Sequence, residues 1–229
     1  MLSDDDQGSF TSAHAILSSD YIYEFIVKQF MAQLWGCIVP DGGKFDPYLF
    51  ETYCTVLLCD SEQQGTSNNF MVKDSALIKS ASSNITLKKC KRKQKVENII
   101  ESARHEADII FLPLSMSNKL IDFVFREDST YYCFQCTIAA THSANPNHMY
   151  TLVLNVINLS EEESKNIKPT DAMPCVKIYY AVPHNRYADF HTIPVKAKAD
   201  ARKLCKTGLL YHWDKLVSIE ILSIPEPSI

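Results

Sequence analysis

Two apolar stretches flank five polar residues in the middle of the chain. They are Asp122–Phe125 (DFVF) and Tyr131–Ala139 (YYCFQCTIA), on either side of Arg126–Thr130 (REDST). Short runs rich in aromatic and β-branched residues, closed by a polar turn, read as an antiparallel hairpin. Side chains alternate faces along a strand, so Gln135 and Thr137 point one way. Tyr132, Phe134, Cys136 and Ile138 point the other way. The first run carries a single ionisable side chain, Asp122. A hairpin this apolar needs more sheet beside it and cover on its faces, which commits the chain to a layered fold.

The chain has 229 residues, enough for one large domain or a domain plus an extension. Its hydrophobic fraction of 46% supports a core without disulfide staples. The net charge of −4 gives no global attraction to nucleic acid, so any such contact must come from a local patch. Cysteines stand at 37, 54, 59, 90, 133, 136, 175 and 205. Cys133 and Cys136 have short spacing, but a strand turns them to opposite faces, which is wrong for a zinc knuckle or a redox turn. They read as reduced, buried apolar residues of a cytosolic or nuclear protein. The segment MLSDDDQGSF is acidic, unlike a secretory signal. No apolar run approaches the ~18 residues of a membrane span, so no membrane partner is expected.

Helical spacing predicts a first helix over 19–35, with a stripe of Ile22, Phe25, Ile26, Phe30 and Leu34. Asp46 and Pro47 open a second, DPYLFETYCTVLLCD. Residues 61–69 read as a polar loop. A basic run, LKKCKRKQK, begins at Leu87 and leads into a helix expected over 94–107. IIFL (109–112) and CVKIYYAV (175–182) read as strands, 148–158 as a helix, 159–174 as a loop, 198–206 as a short helix and 216–224 as a strand. Helices and strands in this order suggest an α/β or α+β sandwich around one central sheet, with α/β, a mixed central sheet flanked by helices, as the expected class.

Several segments, in order, resemble one family: YLFETYCTVLL, PLSMSNKLIDFVF, YYCFQCTIAATHS, VKIYYAVPHNRYADF and VSIEILSIP. Together they resemble the C-terminal nuclease-like domain of Crinkler effectors and of trypanosome retrotransposon-hot-spot (RHS) proteins. The pieces that carry the likeness are Phe50-Glu51, Pro113 to Asn118 leading to Asp122, Gln135-x-Thr137 with His142 after it, and Ala181-Val182-Pro183 before Phe190. The likeness covers roughly residues 45–224. It divides the chain into a helical extension, 1–40, and a nuclease-like domain, 41–229.

The resemblance implies a restriction-endonuclease-like fold of the PD-(D/E)XK superfamily and metal-dependent cleavage or binding of DNA. The implied catalytic set is Asp122, Gln135, Thr137 and Glu51, with Asp122, Glu51 and Gln135 as ligands of Mg2+. Such an ion takes hard oxygen ligands and activates a water beside the phosphate. Gln135 stands where an acid is commonest and Thr137 where lysine is commonest, so the set has lost charge at two positions. Lys119, Lys91 or Lys93 are cations that could stand in for the missing lysine. His142 is a candidate acid, base or phosphate contact, and His184 a weaker one. Lys88, Lys89, Lys91, Arg92 and Lys93 are the candidate DNA contact or nuclear import signal. The implied compartment is the nucleus, with the cytoplasm as alternative, and a homodimer or a separate NTPase-domain partner is the implied assembly. A catalytically inactive effector module that binds protein on the same fold is the competing expectation.

Overall fold

The computed structural model describes residues 20–35, 47–59, 67–74, 82–114, 121–139, 141–142, 146–165, 167–168, 170, 173–192 and 216–227. In chain order the elements are α1 (Asp20–Trp35), α2 (Pro47–Leu58), β1 (Ser67–Asp74), β2 (Ser83–Lys88), β3 (Arg92–Val96), α3 (Ile99–His105), β4 (Ile109–Pro113), β5 (Phe123–Glu127), β6 (Thr130–Cys136), β7 (Thr141–His142), α4 (Pro146–Ile157), α5 (Glu161–Ser164), β8 (Cys175–Pro183), α6 (His184–Tyr187), β9 (His191–Thr192) and β10 (Val217–Ile224).

The expected hairpin is β5–β6, paired from Phe123↔Phe134 to Glu127↔Thr130. Its turn puts Asp128 at φ 51°, a left-handed conformation that Asp tolerates better than most residues. Arg126 holds the turn by donating from Nη1 to the Asp128 carbonyl at 2.6 Å. Its Nε donates to the Ala103 carbonyl of α3 at 2.7 Å.

Eight strands form one mixed sheet in the order β2-β1-β10-β8-β6-β5-β4-β3. β10, β8 and β6 run parallel, as do β3 and β4, and the remaining neighbours are antiparallel. The two outermost strands, β2 and β3, are consecutive in the chain, with residues 89–91 between them. Seven strand spacings would put flat sheet edges about 34 Å apart. The link from Lys88 to Arg92 reaches about 14 Å. The sheet must therefore curl until its edges approach each other.

Each side of the sheet has its own core. One side gathers Phe70, Val72, Leu87, Ile110, Phe123, Phe125, Phe134, Tyr179, Leu222 and Ile224 around Phe50, Tyr53, Cys54 and Leu58 of α2. These residues come from seven of the eight strands, so α2 lies in the concavity. The seam holds its end: the Cys90 N–H donates to the Leu58 carbonyl at 2.7 Å. The other side packs Phe111, Val124, Tyr131, Cys133, Ile178 and Tyr180 against Met149, Leu152 and Val153 of α4 and Ile99, Ile100 and Ala103 of α3.

The fold is therefore mixed α/β, with a central sheet covered on both faces. Four local expectations need correction. α1 buries Val27, Met31 and Trp35, while Ile22, Phe25 and Phe30 of the expected stripe are exposed. The helix is apolar on two sides, and the side carrying Trp35 meets Phe50 and Tyr53 of α2. Residues 94–96, expected to open a helix, belong to the strand 92–96, because β4 offers them a parallel ladder; α3 starts only where Asn98 caps it, its side chain accepting from the Glu101 N–H at 3.2 Å. Ser67–Asn69, read as loop, begin β1, and the expected loop 159–174 contains α5 with a Ser160–Glu163 capping box. The helix expected at 198–206 lies outside the described residues.

Phe134 is fully buried and stacks on Phe123 with ring centroids 4.6 Å apart. Phe134→Ala is expected to cost about 3–5 kcal/mol, read as a lowered urea midpoint with native-like circular dichroism before the transition.

Candidate functional site

Asp122 sits immediately before β5, where its N–H donates to the Phe134 carbonyl at 2.8 Å. Its side chain meets the far end of β6. Asp122 Oδ2 accepts the Cys136 backbone N–H at 2.6 Å. Gln135 Nε2 donates to Oδ1 at 3.1 Å and to Oδ2 at 3.0 Å. The spacing that pairs these residues follows from the two-residue hairpin turn. Burial raises the Asp122 carboxyl to about 6, against the pull of its hydrogen bonds from Cys136 and Gln135.

An amide that gives its nitrogen to a carboxylate turns its oxygen away. Gln135 Oε1 is buried without a hydrogen-bond partner. Tyr180, paired with Gln135 across the β6–β8 ladder, likewise has a buried hydroxyl without one. His142 on β7 lies against it, the ring centroids 5.4 Å apart. The sequence flagged His142 but not Tyr180, whose place beside Gln135 depends on the register of two strands separated by α4.

Thr137 is buried, and its Oγ1 accepts the Ala139 N–H at 3.1 Å. Strand alternation keeps Gln135 and Thr137 on the side of Tyr131 and Cys133, which α4 covers. Glu51 rides on α2, which packs against the opposite side. Its charge, like that of Asp122, is felt at the Cys136 thiol, which burial and a hydrogen bond with Cys54 hold well above the usual thiol range. The structure thus joins Asp122 directly to Gln135, sets Thr137 on the same side, and leaves Glu51 on the side of the sheet that α2 covers.

This arrangement does not suit a magnesium ion. Mg2+ takes near-octahedral oxygens and is held by carboxylates with exposed lone pairs. Here one carboxylate accepts three N–H bonds, and the amide oxygen beside it is turned away. Among the described residues no three His, Cys, Asp or Glu side chains gather in a group able to hold a metal.

The basic run is spread over the end of β2, the 89–91 link and β3. Lys88 and Lys91 both pair with Asp108, at 3.5 and 3.6 Å. Arg92 pairs with Glu106 at 3.0 Å, and Lys93 pairs with Glu24 of α1. These acids were not singled out from the sequence, although Glu106 and Asp108 lie close by in it. A cleft of ≈ 160 Å³ lined by Glu24, Thr52, Thr55 and Lys93, and another of ≈ 320 Å³ lined by Asn98, Glu101, Arg104 and Asn155, lie away from Asp122. His184 Nδ1 lies 2.9 Å from Ser223 Oγ, on α6 and β10. No helix among the described residues is long and apolar enough to cross a membrane.

The Asp122 shift has a pH signature. An unfolded Asp releases its proton near 3.8, whereas the folded one keeps it to about 6. Between those values the native state binds more protons than the unfolded chain, so stability falls as pH rises and levels off above about 6. Two pKa units correspond to roughly 3 kcal/mol. Asp122→Asn is expected to flatten this part of the stability–pH curve, measured by urea titrations between pH 4 and 7. An undiminished slope in the variant would remove Asp122 as its source.

Comparison with known proteins finds no matching family model, no matching curated protein and no matching solved structure.

Proposed function

We propose that this chain is a restriction-endonuclease-like domain of the Crinkler/RHS type that works as a non-cleaving interaction module, recognising another protein rather than hydrolysing DNA. The fold part of the reading is supported by the order of β4, β5, β6, α4 and β8, with Asp122 at the start of one hairpin strand and Gln135-x-Thr137 at the end of the other. The observation that carries the functional part is the Gln135 amide, whose nitrogen donates to both Asp122 oxygens.

Phosphodiester cleavage by this superfamily needs carboxylate oxygens that face an ion and a cation that orients the attacking water. In this chain the carboxylate is engaged by N–H donors and holds its proton to about 6. Thr137 brings no charge, and its hydroxyl serves the local turn. The Asp122–Gln135 pair then acts as a brace that ties the entry of β5 to the exit of β6. The ion pairs at Lys88, Lys91, Arg92 and Lys93 support the same reading, because phosphate contact would have to compete with Asp108, Glu106 and Glu24.

Purified protein incubated with supercoiled plasmid and Mg2+ or Mn2+ is expected to leave the plasmid intact, at the level of a protein-free blank. Nicking that needs the metal and disappears in Asp122→Ala would overturn the proposal and restore the nuclease reading.

A further inference from the structure

Two cysteine pairs join α2 and its end to the sheet. Cys54 on α2 and Cys136 on β6 share a hydrogen bond, and Cys54 is fully buried. Cys59, just past α2, and Cys90, in the 89–91 link, are directly paired as a parallel bridge. No disulfide joins the described cysteines.

The Cys59–Cys90 bridge brings two cysteine backbones side by side. Directly paired residues on adjacent strands have Cα atoms about 4.8 Å apart. Disulfides span roughly 4.4–6.8 Å between Cα atoms. Paired residues also send their side chains to the same side of the ladder. Both residues belong to the core around α2, with Cys90 buried and Cys59 packed at its margin, partly exposed. The bond from the Cys90 N–H to the Leu58 carbonyl, 2.7 Å, holds the two backbones in register.

We propose that Cys59 and Cys90 are a redox latch, oxidised by a small-molecule disulfide such as oxidised glutathione, that locks α2 to the seam of the curled sheet. The partly exposed Cys59 attacks as thiolate, forming a mixed disulfide and releasing one glutathione thiolate. Cys90, whose thiol burial holds well above the usual range, then passes its proton to the departing glutathione as it attacks Cys59 Sγ, releasing the second glutathione as a thiol. Two protein thiols are oxidised and one glutathione disulfide is reduced to two thiols. The linked chain loses freedom only in its unfolded state, so the folded state gains stability.

Intact protein is incubated with oxidised glutathione, and its mass and non-reducing peptide map are recorded beside its thermal unfolding. The expected result is a loss of two hydrogens, a link between the peptides holding Cys59 and Cys90, and a Tm rise on the order of 10 °C that dithiothreitol reverses. Cys90→Ser should instead keep glutathione on Cys59 and show no such rise. If that variant fails to fold, Cys59→Ser at the partly exposed position is expected to form no link at Cys90. A wild-type protein that stays glutathionylated at Cys59, links another pair, forms no link, or links without a Tm rise would overturn the latch. The outcome is independent of the plasmid assay.

Discussion

The short reach from Lys88 to Arg92 governs the architecture. It binds the first and last strands of the sheet order into one neighbourhood and bends everything between them. A bent sheet presents a concave face too narrow for a second sheet and wide enough for a helix. α2 fills it with Phe50, Tyr53, Cys54 and Leu58, and Trp35 of α1 closes over Phe50 and Tyr53. The aromatic ladder on the inner strands follows, with Phe125 stacked on Tyr132 at 4.9 Å as Phe123 is on Phe134. Offset contacts of this kind add to the area they bury, so curvature and packing reinforce each other.

The same closure bears on the functional reading. Asp122 lies at the open end of the β5–β6 pair, where a backbone N–H and an amide would otherwise face an apolar interior. Burying a lone carboxylate is costly, and the three N–H bonds to Asp122 offset part of that cost, so that its carboxyl rises only to about 6. A group serving this bracing role has little capacity left for an ion. Glutamine at 135 gives Asp122 a donor, where a second carboxylate would repel it.

Elements that bury a regular pattern were legible in the sequence. β5, β6, β8, β10, α2 and α4 all carry apolar runs or stripes that end up in one of the two cores. β3, with the sequence RKQKV, was not legible, because an edge strand needs only backbone pairing and leaves most of its side chains in water. α1 was legible as a helix but not in its orientation, since two of its sides are apolar. At the site, the i, i+2 spacing put Gln135 and Thr137 on one face and the hairpin put Asp122 beside them. Which end of the Gln135 amide faces Asp122, which side of the sheet carries Glu51, and which strand brings Tyr180 alongside are set by contacts distant in the chain. The charge of the basic run was legible, whereas its counter-ions depended on how α1 and the residue at φ 59°, Asp108, are placed.

The position of β10 has a consequence for biogenesis. It lies between β1 and β8, in the interior of the sheet, yet among the described residues it follows every other strand. Until the ribosome has released residues 217–224, β1–β2 and the β8-to-β3 block have no ladder joining them. Both keep unsatisfied edges, and a nascent chain in that condition is a natural client for a chaperone that shields strand edges.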